Sequence, residues 1–186
     1  MKQFMYGLVF YIFLVLPPVA NVMESIMIIH MHMQMPLLVV TGFLMAKFFQ
    51  QKFPGFFDKW NGNGVPGIVL FSIIWLYWMM PRTMDEALTV QNVELFKFIS
   101  LPFLAGIPLR DSWKKISLLL KKIFFISFTV LFLGMGMLYI MAPIQLCNNY
   151  LLIEQIILGW GFLTTSFVMI IYLFYFRFTD QSPQEL

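Results

Sequence analysis

Residues 123–143 form an apolar run, IFFISFTVLFLGMGMLYIMAP, that contains no charged side chain. A helix needs about 20 mostly apolar residues to cross the roughly 30 Å of hydrocarbon in a bilayer, and this run is long enough. Charged residues make up only 11% of the whole chain, whereas a typical soluble domain has about 25%. There is too little polar surface to cover a soluble globule, so the sequence predicts a membrane protein.

Five further stretches have the apolar character of a membrane span: residues 4–22, 25–46, 66–81, 92–109 and 151–176. The first is interpreted as a retained span and not as a cleaved secretory signal, because no small-x-small cleavage site follows it. The prediction is an all-α fold, a polytopic transmembrane helix bundle of about six spans. It comprises one helical domain over residues 1–176 and a polar C-terminal tail over residues 177–186.

The positions of the basic residues predict the orientation of these spans. Ten of the twelve Lys and Arg residues fall on the side of the two termini, and only Arg82 and Lys97 fall at the other side. Because loops rich in Lys and Arg remain in the cytoplasm, we expect both termini to be cytoplasmic. The basic segment RDSWKKISLLLKK is interpreted as a signal for this orientation, and contact with anionic membrane lipid is the alternative role.

Three glutamates, Glu24, Glu94 and Glu154, stand where predicted spans begin, near the outer rim. Carboxylates at helix starts complement the free N–H groups there, so a capping role is one interpretation. Ionisable groups beside the hydrocarbon also tend to pair with one another or to carry function, and that interpretation stays open. Glu94 is three residues from Lys97, a spacing that permits an ion pair along one helix.

The segment MESIMIIHMHMQMP, residues 23–36, contains five methionines and both histidines of the chain. At about 100 degrees per residue, one face of a regular helix would carry a set of soft and polar side chains: Met23, Met27, His30, Met31 and Gln34. His32 would point to the opposite side. Thioethers favour Cu(I), and imidazole also binds copper, so Met23, Met27, His30 and Met31 are predicted Cu(I) ligands with Glu24 beside them. The alternative is that the methionines only fill apolar core space.

Other chemistries find less support in the sequence. Two histidines on opposite sides of one helix cannot bind the same haem, so haem would need Met and His ligands from different helices. No His, Ser and Asp set and no zinc motif is found, and we therefore expect no enzyme activity. Nothing in the sequence indicates a nucleic-acid partner.

Four segments, HMHMQMPLLVVTG, WLYWMMPRTMDEAL, FLAG and EQIILGW, resemble in the same order the CtaG family of integral membrane cytochrome c oxidase assembly proteins. The residues that match the family pattern are Pro36, Leu37, Leu38, Gly42, Trp78, Pro81, Asp85, Ala87, Phe103, Leu104, Ala105, Gly106, Glu154, Gln155, Gly159 and Trp160. The positions of the family's two histidine pairs are occupied here by Glu24 and Ile28 and by Phe96 and Ser100.

This resemblance implies a role in assembling the copper-bearing part of a haem-copper terminal oxidase in a bacterial inner (plasma) membrane. The partners would be the oxidase and other integral membrane subunits, and copper would be delivered at the outer face. The alternative function is a small structural subunit of a respiratory or other membrane complex, with no metal of its own.

Overall fold

The structure, a computed structural model, describes residues 2 to 179, with side chains described as far as residue 175. Every regular element in that range is helical: α1 Lys2–Val15, α2 Pro17–Glu24, π1 Ile29–Gln34, α3 Met35–Lys52, α4 Pro54–Asn61, α5 Val65–Met79, α6 Pro81–Thr89, α7 Gln91–Ile99, π2 Ser100–Gly106, α8 Ile107–Trp113, α9 Leu118–Met141 and α10 Leu152–Thr179. Within these residues, four continuous helical stretches are long and apolar enough to cross a membrane, and two bent helix pairs bring the number to six. The predicted all-α membrane bundle of about six spans is confirmed. The predicted tail, beyond the backbone of α10, lies outside the described residues.

The first and third spans are the bent pairs. Helices α1 and α2 meet at 67°, because Leu16 is extended before Pro17 and Pro18 and a residue before proline disfavours the helical conformation. Helix α4 meets α5 at 84°. Residues 54–61 thus form a short helix across the end of the bundle, and Gly64, with a positive φ of 77°, ends the turn into α5.

The second span departs from the predicted regular helix over residues 25–46. A turn at residues 25 and 26 separates α2 from the next helical residues, and π1 precedes α3. Pro36 has no N–H to donate, and its ring crowds the preceding turn. The wider turns of a π-helix give the ring room. Accordingly, the N–H of Met35 donates to the carbonyl of His30, five residues earlier. Pro102 also lies next to π turns, in this case inside π2 itself.

Two glycines bring the second and fourth spans together at the centre of the bundle. A Cβ on Gly42 would lie 1.9 Å from the carbonyl oxygen of Pro102, and one on Gly106 would lie 2.3 Å from that of Val39. Small residues let membrane helices approach this closely, whereas larger side chains would hold the two helices apart. These inner spans are 56% and 50% buried, against 22% for each of the last two spans.

The last two spans form a hairpin, α9 and α10, on one side of this inner pair. Gly136 and Gly159 face each other, since a Cβ on either would lie 3.0 Å from the carbonyl oxygen of the other. The ring of Phe128 stacks on Phe71 of α5 with centroids 5.6 Å apart. This stacking helps to fix the hairpin against the third span.

A buried polar cluster anchors α4 at the lysine-rich end of the bundle. The amide of Asn61 donates to Asp111 at 2.6 Å and to Ser112 at 2.9 Å, and its oxygen accepts the N–H of Gly67. Lys115 donates to the same carboxylate at 2.9 Å. Because these buried groups satisfy one another, α4 is held across the end of the bundle.

Candidate functional site at the Glu24 end

The opposite end of the bundle contains a buried ion pair between Lys97 of α7 and Glu24, the last residue of α2. The ammonium lies 2.5 Å from the carboxylate, and the Lys97 side chain has no solvent exposure. Gln34 also donates to this carboxylate, at 3.2 Å. The pairing of Lys97 with Glu94 along α7, which the spacing allowed, is replaced by a pair between two spans, because a buried ammonium needs close counter-charge.

His30 of π1 belongs to the same network. Its Nε2 lies 3.1 Å from the Lys97 ammonium, and its Nδ1 lies 2.8 Å from the hydroxyl of Tyr150. Since an ammonium only donates, Nε2 accepts and the Nδ1–H donates to Tyr150, which in turn donates to the carbonyl of Glu24 at 2.6 Å. Both nitrogens of His30 are therefore hydrogen bonded, and a metal ion on Nε2 would have to displace a cation.

The loop of residues 142–151 closes over this network. The carboxylate of Asp85 accepts the backbone N–H of Asn148 at 2.7 Å and that of Asn149 at 3.3 Å. Gln155 accepts the N–H of Leu146 at 2.7 Å and donates to the carbonyl of Tyr139 at 3.2 Å. The Gln155 side chain thus has a structural role: it ties the loop to the end of α9.

Cys147 of this loop is buried and donates to the carbonyl of Pro81. Burial, with a smaller contribution from Asp85, raises the pKa of the thiol to about 12. Burial also raises the pKa of Tyr150. At neutral pH the sulfur of Cys147 is a protonated thiol and not the thiolate that metals prefer.

The three glutamates predicted at span starts have different roles. Glu154 accepts the N–H of Leu151 at 3.0 Å and caps the start of α10, as the capping interpretation expects. Glu94 lies in the first turn of α7. Glu24 ends α2 and does not open the second span, because the chain turns at residues 25 and 26, and its carboxylate pairs with Lys97 and caps no helix.

The predicted Met and His face is only partly preserved. Met27, His30 and Met31 are all buried, each with at most 3% exposure. Met23 lies on α2, on the other side of the turn, and is partly buried at the edge of the core. The single continuous stripe is therefore wrong, because the turn and the π1 geometry change the direction of the side chains.

His32 contacts a different span from His30, as the helical projection predicts. Its Nε2 lies 2.8 Å from the hydroxyl of Thr165 on α10. The same hydroxyl lies 3.1 Å from the carbonyl of Gly161, to which it donates. The two histidines belong to two separate environments.

A partly open cavity of about 80 Å³, here called the thioether cavity, lies beside His32. Its lining includes three methionines, one imidazole, one indole and one hydroxyl: Met31, Met35, Met79, His32, Trp75 and Thr165. Sequence reasoning missed it because Trp75 and Met79 come from α5, a span that no local pattern connects to π1. The i, i+4 spacing of Met31 and Met35 was the only local signal.

No group of three or more His, Cys, Asp and Glu side chains able to hold a metal occurs within the described residues. Several carboxylates already have partners: Glu24 and Asp111 form ion pairs, Asp85 binds the loop and Glu154 caps α10. Comparison with models of protein families, with curated proteins and with solved structures gives no match to this chain. The resemblance to the CtaG family stays a prediction from the sequence.

Proposed function

We propose that this protein handles Cu(I) in the membrane as an assembly factor for a haem-copper terminal oxidase, and that it catalyses no reaction itself. The observation that carries the proposal is the concentration of buried thioethers around π1. Met27, Met31, Met35 and Met79 are each at most 4% exposed. Thioether and imidazole donors select Cu(I) over the harder divalent ions.

The place of these donors agrees with a delivery role. They lie on or beside π1, at the start of α3 and at the end of α5, towards the Glu24 end of the bundle, and the distribution of Lys and Arg predicts that this end faces outward. Copper for a terminal oxidase would have to be delivered on that side of a bacterial inner membrane. The motifs shared with CtaG proteins, which carry a role in oxidase assembly, support the same function from separate residues.

The first experiment measures copper bound per chain. The protein is purified in mild detergent without oxygen, incubated with Cu(I) and freed of excess metal, and we expect about one tightly held Cu(I) per chain. A triple variant, Met27→Leu, Met31→Leu and Met35→Leu, should lose it. A control, Met33→Leu with Met137→Leu, changes two methionines that are about half exposed and should keep it. A wild-type chain without copper would refute the proposal.

The second experiment tests the role in assembly. In membranes from cells that lack the protein, the oxidase should contain its haem but have low activity, and added copper should restore part of that activity. An oxidase with normal activity and copper content in those cells would contradict the assembly role.

A structural subunit is the second candidate, and the exposed apolar surface of α9 and α10 favours it. Only 22% of each of these spans is buried, and Trp160 and Phe167 are 59% and 63% exposed. Co-purification separates the two functions. A stoichiometric place in a mature complex, without bound copper, would support the structural role, whereas an assembly factor should associate only with incomplete oxidase.

A further inference from the structure

We propose that Cu(I) is held in the thioether cavity, by the sulfur atoms of Met35 and Met79 and the imidazole of His32, and not on the His30 face. Met31, whose sulfur accepts from the Tyr139 hydroxyl in the structure, would be a further donor. This inference rests on the proposed function and assigns its binding site. It changes the ligand set predicted from the sequence, of which only Met31 remains.

The cavity suits a soft monovalent cation. Three thioethers and one imidazole line a space of about 80 Å³, which is several times the volume that one water molecule needs. None of the residues that line it is charged at neutral pH if His32 is neutral. This donor set is the one that Cu(I) prefers, whereas Zn²⁺ and Mg²⁺ select thiolate, imidazole or oxygen ligands.

The hydrogen bonds of His32 prepare one ring nitrogen for a metal. When the Thr165 hydroxyl donates to the carbonyl of Gly161, its oxygen is free to accept from the Nε2–H of His32. The neutral ring then has its lone pair on Nδ1, for which the described residues provide no hydrogen-bond donor. Metal-binding histidines commonly donate their other N–H to such a fixed partner.

His30 presents the opposite situation. Its Nε2 accepts from the Lys97 ammonium, and its Nδ1–H donates to Tyr150. A cation on His30 would replace a satisfied hydrogen bond and stand next to a buried positive charge. The two imidazoles therefore differ in availability, although only one residue separates them in the chain.

Trp75 provides a further contact and a spectroscopic signal. Its ring lines the cavity, and the face of an indole attracts a cation held close to it. Its buried N–H has no hydrogen-bond partner among the described residues. The ring is thus able to tilt over a bound ion without breaking a hydrogen bond.

The test is a Cu(I) titration of the full chain in detergent, without oxygen and against a competing Cu(I) chelator. Met35→Leu, Met79→Leu and His32→Gln should each weaken binding at least about tenfold, while leucine keeps the volume of the core. Thr165→Val removes the hydrogen-bond partner of His32 without removing a proposed ligand, and should weaken binding by about 10- to 100-fold. The matched control is Met33→Leu, in the same segment but 52% exposed, which should bind as the wild type does.

Trp75→Phe tests the site without removing a ligand. Cu(I) should change the tryptophan fluorescence of the wild-type chain, and most of that change should disappear in the variant while copper is still retained. An unchanged fluorescence response in Trp75→Phe would place the ion elsewhere and overturn the assignment.

The outcomes separate the binding site from the function. If His30→Gln and Met27→Leu lose copper while the His32, Met35 and Met79 variants keep it, the cavity assignment is wrong and the proposed function stands. If the wild-type chain binds no Cu(I), the proposed function fails and the assignment falls with it. Copper lost from the three cavity variants, and kept by His30→Gln and Met27→Leu, establishes the site.

Discussion

Replacing Lys97 with methionine should strongly destabilise the bundle. The substitution leaves Glu24 largely buried without its counter-charge and leaves Nε2 of His30 without its donor. Removing one partner of a buried ion pair costs about 3–5 kcal/mol. In a chain of this size 1 kcal/mol shifts the unfolding midpoint by about 2–4 °C, so we expect the midpoint in detergent to fall by about 6–20 °C.

Two controls separate this effect from a general loss of stability. Glu24→Gln with Lys97→Met removes both charges and should recover most of the lost stability, because no buried charge stays unpaired. Arg82→Gln breaks the exposed ion pair with Glu86, whose side chains are 90% and 42% exposed, and should shift the midpoint by less than about 4 °C. A fall of less than about 2 °C for Lys97→Met would show that the buried pair is not maintained in solution.

Three other perturbations test the packing and the loop. Gly42→Ala would place a Cβ 1.9 Å from a backbone oxygen of the fourth span and should cost about 1–3 kcal/mol in thermal unfolding; Gly134→Ala, where nothing lies within 4 Å, should not destabilise the chain. Asn61→Ala leaves Asp111 with fewer donors and should increase hydrogen exchange in α4, and exchange unchanged from the wild type would exclude the anchoring role. Because burial raises the pKa of Cys147 to about 12, its maleimide labelling at pH 8 should be at least about a hundredfold slower than in the denatured chain and should rise with pH, since only the thiolate reacts. Equal rates in folded and denatured protein would contradict the buried, protonated thiol.

The apolar runs were sufficient to predict the fold class, because crossing a bilayer requires a long apolar helix whatever its neighbours are. The bends were harder to foresee. The sequence shows a proline pair, Pro17 and Pro18, in the first span and a single proline, Pro36, in the second. The pair bends its span by 67°, whereas a π-helix accommodates the single proline. Which of these occurs depends on how neighbouring spans pack, and local sequence does not contain that information.

At the candidate site, too, local sequence predicts directions along one helix but not the contacts between spans. Helical periodicity correctly separated His30 from His32, although the segment is not a regular helix. The same periodicity placed Met23 and Met27 on one helix face, which is wrong because the turn after Glu24 interrupts the helix. The sequence permitted an ion pair between Lys97 and Glu94, three positions away, but could not indicate the actual partner, Glu24, which is 73 positions away in the chain.

That separation along the chain has a consequence for the insertion of the protein into its membrane. An isolated charged residue costs up to about 2.5–3.5 kcal/mol to insert, the full cost applying at the centre of a span. Lys97, near the start of the fourth span, meets Glu24 only after that span has been synthesised. The second and fourth spans are also less apolar than α9 and α10. We expect the first four spans to leave the insertion machinery as a group, with the last hairpin entering the lipid on its own.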